Sequence, residues 1–186
     1  MIIPLIESKS KFHCCDFLSF NDMNEGVFLA SKKDHDVLLK KKKQYKICSF
    51  STKSALSSQL MWGHYANAGM GVAIELEVQD SSNIEPITYD DNMPSFGDVR
   101  GILTRKSKVW EYESEVRYLS NEETEDKVKI GTITKVYFGM PYKDLKNYNN
   151  IETEHTTLKR YLEYKTELKN ICEKQKIKCE DYYFNK

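Results

Sequence analysis

Apolar and polar residues alternate most cleanly over Val72–Val78. Val72, Ile74, Leu76 and Val78 share one face there, and Ala73, Glu75 and Glu77 share the other. A period of two predicts a strand, launched here at Gly71. Residues 11–18, 45–50, 113–119 and 133–138 read as further strands, the last stopped by Gly139 and Pro141. Residues 87–89 and 177–184 could add two more. The period changes over residues 154–174, where Leu158, Tyr161, Leu162, Leu168 and Cys172 form one stripe of an amphipathic helix. A polar helix is expected over 34–43. Another is expected over 54–67, capped by Ser51 or Thr52 and ended by Gly69–Gly71. Residues 99–108 fit either state, and 19–26 and 90–98 read as loops.

Strands and helices do not alternate regularly, so a doubly wound parallel sheet is not expected. The pattern predicts an α+β fold: a mixed, mostly antiparallel sheet with packed helices and a C-terminal amphipathic helix. The 186 residues suffice for a single domain, 1–186, and no repeat or linker divides them.

Charge and cysteine content narrow the classes. The 28 basic and 28 acidic residues cancel, which lowers the expectation of a general nucleic-acid binder. Cysteines 14, 15, 48, 172 and 179 are odd in number and fit no zinc spacing, so all five are read as reduced thiols and no metal is expected. The apolar start, Met1 to Ile6, is too short for a signal peptide. No apolar run approaches the about 20 residues of a membrane span, so no membrane partner is expected and a cytoplasmic location is.

Two segments carry candidate chemistry. The first is Met61-Trp62-Gly63-His64-Tyr65-Ala66-Asn67-Ala68-Gly69-Met70-Gly71. On a helix Met61, His64, Tyr65 and Ala68 fall on one side. Glycine in a helix interior costs about 1 kcal/mol, so Gly63 suggests a close approach of backbone or ligand. On the residues alone, a packed core helix with His64 satisfied by a carbonyl is the favoured account of this segment. In the second segment, if residues 113–119 are extended, Glu113, Glu115, Arg117 and Leu119 face one way. Such a face is either exposed with weak ion pairs, or a polar site floor with a carboxylate as general base or cation stabiliser. No P-loop, GxSxG, HExxH or Rossmann fingerprint occurs.

The motifs, taken in order, resemble a bacterial family, the domain of unknown function 2971 (DUF2971). Phe17 to Glu25, with Asn21-Asp22 inside it, resembles the family's Asn-Asp loop. Cys48-Ser49-Phe50-Ser51 resembles its Cys-Phe-Ser strand end. Leu60 to Ala66 followed by Gly71 to Glu75 resembles its hallmark. Lys106 to Trp110, with Glu113, Glu115 and Arg117, resembles its Lys, Trp, Glu-x-Glu-x-Arg block, and Val136 to Gly139 its closing strand. The likeness covers residues 12–139; residues 140–186 add the C-terminal helix and a possible last strand. Met23 stands where proline is usual, and Gly63 where Ser or another residue is more usual. The family's earlier strand is short or absent here.

The resemblance implies a shared site of Asn21, Asp22, Ser51, Trp62, His64, Tyr65, Lys106, Trp110 and Arg117 with Glu113 and Glu115. It also implies a bacterial effector in a toxin or phage-defence setting. A fold-level likeness to ADP-ribosyltransferases would make Glu115 the catalytic carboxylate, Glu113 the acceptor-side base and Tyr65 or Trp62 a stacking wall. NAD or another nucleotide-like small molecule would then be the substrate, with a protein or nucleic-acid acceptor. Two alternatives stand beside it. One is a non-catalytic anion-binding module built on Arg117, Lys106 and His64. The other is a nuclease with a metal on Glu113, Glu115 and Asp90 or Asp91.

Overall fold

The computed structural model describes residues 3–7, 11–20, 22, 25–94, 97–140 and 156–184. The helices are α1 (Ile3–Glu7), α2 (Lys32–Lys42), α3 (Gln59–Tyr65), α4 (Val99–Leu103) and α5 (Thr156–Lys174). The strands are β1 (Lys11–His13), β2 (Lys46–Ser51), β3 (Val72–Val78), β4 (Ile84–Pro86), β5 (Thr88–Tyr89), β6 (Arg105–Lys106), β7 (Glu115–Ser120), β8 (Lys127–Lys129), β9 (Gly131–Met140) and β10 (Lys178–Tyr183). The fold is α+β, with mixed, mostly antiparallel pairing, as the periodicity predicts. The chain divides into two compact units: residues 1–10, 56–79 and 131–186, and residues 11–55 with 80–130.

The first unit is built on a sheet of order β10-β9-β3. β3 pairs with β9 antiparallel, with a register shift between Glu75 and Leu76; β10 pairs with β9 in parallel after α5. The stripe on α5 buries Leu158, Tyr161, Leu168 and Cys172, with Leu162 half-buried. Tyr161 donates its hydroxyl to the carbonyls of Gly139 (2.7 Å) and Gly71 (3.1 Å), tying the helix to the β3–β9 ladder. The polar–apolar pattern did not foretell Lys165, which is fully buried on the same stripe. Its Nζ lies 2.9 Å from Asp181 of β10, and burial together with the neighbouring Lys169 offsets that attraction, leaving its pKa below the ordinary lysine value.

The helix expected over 54–67 is interrupted. A 3-10 turn, Lys53–Ser57, precedes α3, and Ser58 caps α3 through its hydroxyl, which accepts from the Met61 N–H. A serine able to satisfy the first orphan N–H groups restarts the helix there. α3 ends at Tyr65, and Asn67 (φ 49°), Ala68 (φ 56°) and Gly69 (φ 85°) turn left-handed. Ala68 therefore does not share the helical face of Met61, His64 and Tyr65. Gly139 permits a close approach: a Cβ there would collide with the Gly69 carbonyl oxygen.

The second unit centres on the antiparallel sheet β2-β7-β4, with β1-β8 antiparallel and β5-β6 parallel as two-stranded ladders. Its core gathers Leu38, Ile47, Val99, Ile102, Leu103 and Leu119. The strand expected over 11–18 stops at His13 apart from a bridge between Cys15 and Ile47. Asp16 accepts from the Leu18 N–H and starts a 3-10 turn, Phe17–Ser19. Residues 99–108 resolve into α4 and β6. The strand expected from residue 113 begins instead at Glu115, because Ser114 is left-handed (φ 45°) and Glu113 closes a 3-10 turn, Lys108–Glu113. All five cysteines are free thiols.

Candidate functional site

The site forms on the β7 face that carries Glu115, Arg117 and Leu119. Leu119 belongs to the core, so its two charged neighbours on that face are buried with it. The reading of an exposed face with weak ion pairs is thereby overturned. Glu25, Lys106, Glu113, Glu115 and Arg117 form one ion network, with every side chain 5% exposed or less.

Arg117 uses all three nitrogens within the protein. Nε donates to Glu115 Oε1 at 2.7 Å, Nη1 to the Leu103 carbonyl at 2.6 Å, and Nη2 to Glu25 Oε1. The Phe20 ring centroid lies 4.3 Å from its Cζ, a cation–π contact. Lys106 reaches the cluster from β6. Its Nζ donates to Glu113 Oε2 (2.6 Å) and Glu115 Oε2 (3.1 Å) and lies 3.9 Å from Glu25 Oε1. The half-buried Trp110 sets its ring centroid 4.9 Å from that Nζ. The left-handed Ser114 turns the chain so that Glu113, although off the strand, still meets Lys106. Tyr89 completes the frame, its hydroxyl oxygen accepting from the Glu115 N–H at 2.7 Å.

Electrostatics separate the carboxylates. Burial penalises ionised Glu115, but the charge and hydrogen bond of Arg117, the Ser49 hydroxyl and Lys106 outweigh it, and its pKa is lowered. Burial also acts on Glu25. There it outweighs Arg117 and Lys106, and the pKa is raised. Burial opposes the charge on Lys106 too, yet Glu113, Glu115 and Glu25 hold its pKa above the ordinary value. Three carboxylates share two cations, so the fully ionised cluster carries one negative charge in excess.

Of the residues expected at the site, Lys106, Glu113, Glu115 and Arg117 are in the network and Trp110 borders it. Asp22 is buried in the turn that leads to Glu25, whose N–H donates to the Asp22 carbonyl at 3.1 Å. Ser51 is exposed on β2, opposite Glu115 in register. Asn21 lies outside the described residues. Trp62, His64 and Tyr65 belong to the other unit. Trp62 is a core residue there, stacked on Tyr182 (centroids 5.4 Å) and donating Nε1–H to the Leu56 carbonyl at 2.8 Å. His64 and Tyr65 are exposed on α3. Gly63 accommodates no close neighbour: a Cβ would meet nothing within 4 Å, so no approaching backbone accounts for it.

Sequence reasoning missed Glu25, Ser49, Tyr89 and Phe20 as site residues. Glu25 closes the Asn-Asp loop motif, and that placement was the available signal. Lys42 was also missed. Buried on α2, it donates to the Gly26 carbonyl, lies 4.0 Å from the Phe17 ring centroid and 5.2 Å from that of Phe28, and burial pulls its pKa down to about 8. It thereby holds the turn that presents Glu25.

Asp90 and Asp91 are engaged in their own loop. Asp90 accepts from Arg105 and Asn92; Asp91 accepts from the Ser107 hydroxyl (2.7 Å) and the Lys108 N–H (3.0 Å). Among the described residues no group of three or more His, Cys, Asp or Glu is placed to hold a metal ion. No helix among them is long and apolar enough to cross a membrane. Comparison with known proteins returns no match to a family model, a curated protein or a solved structure.

Proposed function

We propose that the buried ion network is the centre of an enzyme acting on a nucleotide-like ligand, with NAD as the first candidate substrate and ADP-ribosyl transfer as the reaction class. One observation carries this reading: three carboxylates converge on two cations, which leaves the cluster ready to accept one further positive charge or a proton. Loss of nicotinamide from NAD develops positive charge on the ribose, and an excess carboxylate in a water-poor site stabilises such charge. Glu115, kept ionised by Arg117, serves as that carboxylate. Glu113 is the acceptor-side base, and the half-buried ring of Trp110 and that of Tyr112, 6.1 Å apart, offer faces for a base to stack on. The likeness of the motif order to family 2971 supplies the setting, a bacterial effector in toxin or phage defence.

A simple anion-binding module is less well supported. It needs Arg117 and Lys106 to present free donors to the ligand, and both direct theirs at acceptors within the protein, the carboxylates and the Leu103 carbonyl. Incubation with NAD, followed by chromatography of released nicotinamide, tests the reading. Release is expected from the parental chain, and a loss of about 100-fold or more in Glu115→Gln with the circular dichroism spectrum retained. Absence of release from a folded parental chain, across candidate protein and nucleic-acid acceptors, overturns it.

A further inference from the structure

Outside the ion network, two cysteines of the second unit flank an isolated β-bridge. Cys15 and Ile47 form an antiparallel bridge whose two members exchange both backbone hydrogen bonds, at 2.9 Å and 2.8 Å. Counting one step outward from that hydrogen-bonded pair places Cys14 opposite Cys48. The Cys14 N–H points away, to the Asp126 carbonyl at 2.7 Å, and Cys48 pairs on its other side with Tyr118. Cys14 and Cys48 therefore flank an isolated bridge at a non-hydrogen-bonded position, with their side chains on one face. At such positions the Cα atoms are about 4.5 Å apart and the side chains are at their closest, within the span a disulfide bridges without backbone movement. Strand register thus singles out this pair.

We propose that Cys14 and Cys48 form a dithiol modification site that closes to a cross-strand disulfide by exchange with a small-molecule disulfide such as oxidised glutathione. Cys48 is half-buried and Cys14 fully buried, so Cys48 meets the reagent first. Its pKa is raised by the neighbouring Cys14 and by burial, so its sulfur attacks one sulfur of the reagent only once its proton has passed to solvent. The reagent's S–S bond breaks, a mixed disulfide forms on Cys48 and one glutathione leaves. The Cys14 sulfur then loses its proton and attacks the Cys48 sulfur, the new bond closes, and the second glutathione leaves, its sulfur taking up a proton. The two cysteines lose two electrons, which reduce the reagent to two thiols. The disulfide closes a loop that contains Glu25 and Lys42, so it bears on the segment that supplies one carboxylate of the network.

The test uses the full chain, reduced and then equilibrated with oxidised glutathione. Tryptic cleavage after Lys11, Lys32, Lys46 and Lys53 gives a peptide of residues 12–32 and one of residues 47–53. The expected product joins these two peptides, with two thiols lost and no glutathione retained. Because residues 12–32 contain both Cys14 and Cys15, the experiment is repeated in Cys15→Ser, where the cross-link persists. In Cys48→Ser it is absent. The oxidised chain melts higher than the reduced one, by about 10 °C for a loop of this length. Retention of all five thiols, a glutathione adduct on Cys48 that never resolves, or loss of the cross-link in Cys15→Ser each overturns the proposal.

Discussion

Arg117 and Glu115 stand two residues apart on one face of the same strand, joined by a 2.7 Å contact from Nε to Oε1 in a setting almost closed to water. Charges so placed contribute little net stability but are costly to leave uncompensated. The imbalance of the cluster then sets a direction. Arg117→Met leaves three carboxylates facing Lys106 alone, and is expected to cost about 3–5 kcal/mol. Glu113→Gln leaves two carboxylates and two cations and keeps an acceptor for Lys106, so about 1–2 kcal/mol is expected. Urea denaturation followed by circular dichroism measures both. Equal costs would mean that the excess negative charge has no energetic meaning.

The same network predicts opposite pH slopes for two of its carboxylates. The folded pKa of Glu115 lies below its ordinary 4.5. Its contribution is present above that ordinary value and lost as pH falls through the folded one. The folded pKa of Glu25 lies above 4.5. Its contribution is present below the ordinary value and lost as pH rises through the folded one. Relative to the parental chain, Glu115→Gln therefore becomes more destabilising as pH rises across the acid range. Glu25→Gln becomes less destabilising from pH 4.5 upward. Unfolding free energies from about pH 3 to 8 decide this, and parallel slopes for the two variants would refute the assignment.

Periodicity reports some features of this chain and passes over others. Val72–Val78 is read with both bounds, because Gly71 launches it and its alternation is unbroken. α5 and the strand after it are read because the apolar stripe is long. Glu113, Glu115, Arg117 and Lys106 are legible as a group because they lie within twelve positions. Glu25 is not, being 92 positions from the arginine it binds. Lys42 and Lys165 escape for another reason: a pattern scored as apolar or polar assigns every lysine to solvent, and both are buried against partners from other elements. The break at Ser58 is local capping chemistry, which a helical period does not register.

Gly63 gives a prediction where the expectation and the structure part. Glycine in a helix interior is less favourable than alanine by about 1 kcal/mol, chiefly through backbone entropy. At Gly63 the backbone is helical, the position is exposed, and a Cβ would meet nothing within 4 Å. Gly63→Ala is therefore expected to stabilise the chain by about 0.5–1 kcal/mol, seen as a rise in urea midpoint at unchanged slope. The same variant also probes the ligand-approach reading of this glycine. If a bound molecule needs the bare backbone there, nucleotide binding or turnover falls while stability rises. If both rise or activity stays level, the glycine has no part in binding. A loss of stability would show that α3 holds a conformation that alanine cannot adopt.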